Sequence, residues 1–156
     1  MYRSICCKNI VKSLVLLTTI INLLGCDAGI QYRPKDWTLV RGDLYWTKTF
    51  DQAEFTILPI GGLVGQKYTW LEMFVTNHSG ESPIAIISAV LRTRTEYYPA
   101  TLCNSRPFLP GETRKSIIAW EFKEELTKVL TEPLDVIIVV QVGEEQRTVE
   151  IPMIRF

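Results

Sequence analysis

LDVIIVVQV-GEE-QRTVEIPMI, Leu134 to Ile154, is the stretch on which the fold turns. Two runs rich in valine and isoleucine flank a three-residue polar group that contains Gly143. That is the composition of two antiparallel strands joined by a tight turn. Upstream the same pattern recurs. In KYTWLEMFVT, Leu71, Met73 and Val75 fall on one face, and Tyr68, Trp70, Glu72 and Thr76 on the other, the two-residue period of a strand. The polar group NHSGESP, with Gly80 and Pro83, makes a turn, and IAIISAVLRTR resumes a strand apolar enough to be central. RKSIIAWEF is a further strand, with Ile118, Trp120 and Phe122 sharing a face.

The remaining segments complete the pattern. DLYWTKTF and AEFTILPI read as the first edge strands, TEYYPATL as a short additional one, FLPGET as a turn, and KEELTKVL as the one helical turn, closed before Pro133. About seven strands at this spacing predict an all-β, antiparallel β-sandwich over residues 37–156. The strand–turn–strand FVTNHSGESPIAI, the PGE before a later strand and the final hairpin resemble immunoglobulin-like and fibronectin-III-like domains of bacterial envelope proteins. The resemblance implies an immunoglobulin-like sandwich. Architecture carries no function by itself.

The first residues read as an address. Arg3, Lys8 and Lys12 precede an apolar run from Ser13 to Leu24, and no acidic residue occurs before Asp27. A charged start, a short apolar middle and a small residue before a break are the layout of a secretory signal. As a helix the run covers about 18 Å, too short for the roughly 30 Å hydrocarbon core. Leu23-Leu24-Gly25-Cys26 resembles the bacterial lipobox. The resemblance implies cleavage after Gly25, diacylglycerol on the Cys26 thiol and an N-acyl chain on its new amino group. More than one chain on one residue meets the requirement for stable anchoring. Asp27, in proteins resembling enterobacterial lipoproteins, implies retention at the inner membrane. Residues 1–25 are thus expected to be a signal peptide and residues 26–36 a lipidated tether, since DAGIQYRPK shows no periodicity and ends near Pro34.

Removing residues 1–25 leaves 131 of 156 residues, enough for one domain with a proper core. It also leaves 14 basic against 17 acidic residues, a mildly acidic balance that gives no argument for nucleic acid. Cys6 and Cys7 leave with the leader and Cys26 carries lipid, so Cys103 stands alone and no internal disulfide is expected.

No catalytic residue, no metal set and no cofactor beyond the lipid is expected from these residues. His78, the only histidine, sits in a turn, and Ser79 and Ser82 beside it lack a nucleophile-elbow pattern. His78, Met73, Met153 and Cys103 show no ligand spacing. Glu144–Glu145 with Glu150, and Glu124–Glu125, read as solvated surface, and IGGLVG lacks the residues of a phosphate loop.

TLCNSRPFLPGE is the most suggestive surface segment, with Phe108 and Leu109 set between Pro107 and Pro110 and preceded by Arg106. Its commoner use is a plug at the end of the core. Its functional use is a rigid apolar tip, making Arg106, Phe108 and Leu109 the candidate partner contact. The expected role is therefore a membrane-anchored, non-catalytic binding or scaffold module for envelope proteins, on the periplasmic face of the inner membrane with the outer membrane as the alternative. A small-ligand or metal-binding lipoprotein, or a lipid-anchored inhibitor or immunity factor, is the alternative.

Overall fold

In the computed structural model of the protein, residues 29–40, 44–103 and 106–155 are described. Leu23, Leu24, Gly25, Cys26 and Asp27 lie outside them. Among the described residues the elements in chain order are β1 (Ile30–Pro34), β2 (Thr38–Leu39), β3 (Trp46–Phe50), β4 (Ala53–Ile57), β5 (Ile60–Gly62), β6 (Tyr68–Asn77) and β7 (Ile84–Arg92). There follow β8 (Tyr97–Pro99), β9 (Leu102–Cys103), β10 (Thr113–Glu121), the short helix α1 (Leu126–Val129), β11 (Leu134–Val142) and β12 (Glu145–Arg155).

Two six-stranded sheets result. The first runs β5-β1-β12-β11-β7-β8 and the second β2-β3-β4-β6-β10-β9. Their inner faces form one core. Leu71, Met73 and Val75 of β6 and Ile118 and Trp120 of β10 come from the second sheet, and Val136, Ile138, Ile151 and Met153 from the first. The alternation in KYTWLEMFVT is therefore the inner and outer face of β6, as its period required. The final hairpin is present too, with Val142 paired to Glu145 and Gly143 at a φ of 59° in the first turn position, where a two-residue hairpin favours glycine. β7 lies inside its sheet, but the register shifts between Val139 and Val140, and Ile87 turns outward there.

Two expectations need correction. The strands number twelve among the described residues, against the seven or so expected: β1 stands where a tether was expected, and β2, β5 and β9 have only two or three residues each. Such pieces are too short to show a period. The tether expected over residues 26–36 is corrected at Ile30–Pro34, which form β1; residues 26–28 lie outside the described residues. Ile30, Tyr32 and Pro34 point inward from β1, which is hydrogen-bonded to β5 on one side and β12 on the other. Tyr32 is buried and donates its hydroxyl to the Leu130 carbonyl at 2.9 Å. Among the described residues the fold thus includes Ile30–Pro34, ahead of Trp37. Pro34 suggested a break, yet it sits at the last position of the strand, where the missing donor costs little.

The chain passes between the sheets through very short links. Leu58 and Pro59 join β4 to β5, and Ala100 and Thr101 join β8 to β9. The Ala100 amide bonds to Ala89 in one sheet and the Thr101 amide to Ala119 in the other, both at 2.8 Å. The two ends of the sandwich differ. At one end Ile30 pairs with Gly62, and the Leu126 amide bonds to Gln66 beside them. At the other, about 30 Å along the ten residues of β6, lie Asn77, the turn after it, Phe108 and Gly143.

Candidate functional site

The far end is organised by Asn77, the last residue of β6, which is fully buried. Its Nδ2 donates to the carbonyls of Ser82 and Phe108, each at 2.9 Å, and its Oδ1 accepts from the Ser79 amide at 2.8 Å. One amide side chain thereby ties the 78–83 turn to the segment carrying Phe108. Ser79 completes the turn by accepting from the Ser82 amide at 2.9 Å. Its hydroxyl is committed to local structure, as are those of most turn serines.

Leu109-Pro110-Gly111-Glu112 is a closed turn. The Glu112 amide bonds to the Leu109 carbonyl at 2.9 Å, and Gly111 takes a φ of 74°. Proline in the second position and glycine in the third are the requirements of a type II turn. The Leu109 amide also donates to Glu112 Oε2 at 2.8 Å, and the Gly111 amide to the Asn77 carbonyl at 2.9 Å.

This geometry divides the three residues expected to form one contact. Phe108 is 0% exposed, its backbone paired with Ile84, so it is a plug and cannot touch a partner. Leu109, one residue on, is 57% exposed at the turn. Arg106 gives its backbone carbonyl to Arg114 Nη2 at 2.7 Å. The cation over the Phe108 ring is Arg114, its guanidinium carbon 4.6 Å from the ring centroid. Arg114 and Asn77 are the residues sequence reasoning missed. The bond from Asn77 to Phe108 spans 31 residues, beyond any local pattern, whereas Arg114 contacts Arg106, Pro107 and Phe108 within eight residues of itself.

The other candidates stay dispersed. His78 lies on the surface with Nε2 3.7 Å from Glu54. Met73 and Met153 are buried on facing sheets, and Cys103 is half-buried on an edge strand, where burial pushes its thiol pKa up. Among the described residues no group of three or more His, Cys, Asp or Glu could hold a metal ion. Glu145 and Glu150 are exposed, as expected, and each also meets an arginine at the surface. Glu150 meets Arg92, which also grips Asp135 at 2.8 Å, and Glu145 meets Arg147 at 2.8 Å.

A groove of about 500 Å³ opens at the near end. Thr93, Glu96 and Tyr98 line it from the β7–β8 hairpin, and Lys123, Glu124 and Lys128 from the segment around α1. Tyr98 packs edge-on against Phe122, ring centroids 5.1 Å apart. Its hydrogen bond to Glu96, then burial, then the charges of Glu96 and Glu124 push its pKa up to about 12. The folded state therefore holds a proton that the unfolded chain releases near pH 10. The stability that Tyr98 contributes is complete below that pH and is lost as pH rises through about 12. Urea unfolding on either side of this window should show a smaller loss for Tyr98→Phe than for wild type. Equal losses would place the alkaline instability elsewhere.

No helix among the described residues is long and apolar enough to cross a membrane. No family model, no curated protein and no solved structure matches the chain.

Proposed function

We propose that this chain is a bacterial envelope lipoprotein, anchored through diacylglycerol and N-acyl lipid on Cys26 to the periplasmic face of the inner membrane. Its domain is an immunoglobulin-like, non-catalytic binding module for another envelope protein. The residues Leu23-Leu24-Gly25-Cys26 support the anchor and Asp27 the inner-membrane site. The strand order supports the immunoglobulin-like reading. Strands β4-β6-β10-β9 and β12-β11-β7-β8 follow the chain as A-B-E-D and G-F-C-C′, with β1, β2, β3 and β5 extending the sheets.

The observation that carries the binding role is Leu109, an apolar side chain 57% exposed on a locked turn at the end remote from β1. Such a residue loses little conformational freedom on docking. A photocrosslinking amino acid replacing Leu109 in the full lipoprotein should trap a discrete partner, while one replacing Glu144 nearby should not. Intact mass and density fractionation of the same sample should show acylated Cys26 in the inner membrane. Identical adducts from the two positions would remove the binding role, and an unacylated Cys26 would remove the anchor.

A small polar ligand in the Tyr98 groove is the second reading, favoured by the groove's volume and its mix of lysines, carboxylates and threonines. Native mass spectrometry finding a bound small molecule that Tyr98→Phe loses would favour it.

A further inference from the structure

We propose that the near end of the sandwich is a second membrane contact, in which the turn of Leu63 and Val64 enters the headgroup region of the bilayer that holds the Cys26 acyl chains. The inference rests on the lipid anchor proposed above and adds how the domain is oriented on it.

The spacing comes first. Cys26 precedes Gly29 by three residues, at most about 11 Å of extended chain. Gly29 is packed against the β5–β6 turn so closely that a β-carbon there would lie 2.7 Å from the Gly62 carbonyl oxygen and 3.7 Å from Leu63 Cδ2. Because β1 starts at Ile30, no longer tether can carry the domain away from the membrane. The Leu63 turn is therefore held within reach of the lipid surface.

The composition of this end suits that surface. Leu63 is 53% exposed and Val64 58%. Their turn is closed, with the Gln66 amide on the Leu63 carbonyl at 3.2 Å, Gln66 Oε1 accepting from the Leu63 amide at 2.9 Å, and Gly65 at a φ of 83°. Two aliphatic side chains are thus presented without an ordering cost on insertion. Behind them come Lys67 and then Tyr68 and Trp70, near-parallel rings with centroids 6.0 Å apart on the outer face of β6. Trp70 stands about 7 Å beyond Tyr68 along the strand. Aliphatic tip, lysine and a Tyr–Trp belt are the order in which side chains meet the hydrocarbon boundary and the headgroups. Glu121, opposite Tyr68, and Glu124 offset the lysines, so the contact is apolar and needs no anionic lipid.

The test uses the full lipoprotein in phosphatidylcholine vesicles, carrying a nitroxide at Val64→Cys or, as control, at Glu144→Cys, both in a Cys103→Ser background. Collisions with a water-soluble nickel chelate should be several-fold fewer at position 64 than at position 144, and collisions with oxygen more frequent. Equal nickel access at both positions, with Cys26 acylated by intact mass, overturns this contact alone. Protection at position 64 from both reagents means that protein and not lipid covers the turn, and overturns it too. An unacylated Cys26 overturns the anchor and this inference together.

Discussion

A protein beginning at Trp37 should lose cooperative unfolding, whereas one beginning at Gly29 should unfold with the same midpoint as the intact domain. Burying a large apolar side chain contributes about 1.5–3 kcal/mol, and β1 buries Ile30 and the ring of Tyr32. The loss spreads further. β5 has β1 as its one neighbour in the first sheet, so removing β1 strips two of that sheet's six strands. The buried Leu130 carbonyl also loses the Tyr32 hydroxyl. Together these losses reach several kcal/mol, a large share of the roughly 5–15 kcal/mol that holds a domain folded. Urea titration followed by tryptophan fluorescence and circular dichroism measures it. A sharp transition from the Trp37 protein would show that β1 is dispensable.

Phe108 and Leu109 should give opposite results despite being adjacent. Phe108→Ala removes a fully buried ring wedged between Ile84, the Arg114 guanidinium and the core, and should cost about 3–5 kcal/mol. The cavity it leaves lies beside Asn77, whose Nδ2 holds the Phe108 carbonyl, so relaxation there also loosens the 78–83 turn. Leu109→Ser alters a side chain in solvent and should shift stability by no more than about 0.5 kcal/mol while abolishing any contact made at the turn. The denaturation midpoints of the two single variants separate plug from tip. Similar small shifts for both would mean that the segment is not part of the core.

What could be read in advance tracks the length over which each signal is written. β6, β10 and the β11–β12 hairpin are nine to eleven residues each, long enough for an inner and an outer face to show as a pattern. TEYYPATL reads as one short strand, but its division into β8 and β9, with short ladders in opposite sheets, is not specified by any local composition. β1 has a two-residue alternation, Ile30, Tyr32 and Pro34 inward, but its five residues end in a proline and resemble a linker. The division between Phe108 and Leu109 was not legible, because an aromatic between prolines fits a plug and a docking tip equally. The bridge to Ile84 decides between them. The Tyr98 groove joins residues 93–98 to residues 121–131, a meeting made only by the stacking of one sheet on the other.

The two links described between the sheets have a mechanical result. Leu58-Pro59 and Ala100-Thr101 each span the gap in two residues, at different places along the sandwich. Sliding one sheet over the other would stretch both, and swinging the sheets apart would break the amide bonds that Ala100 and Thr101 make to opposite layers. Both links therefore oppose shear and hinge motion of this body. It rotates as one piece, so a tilt at the Gly29 end displaces the Leu109 turn in proportion to a lever arm of about 30 Å.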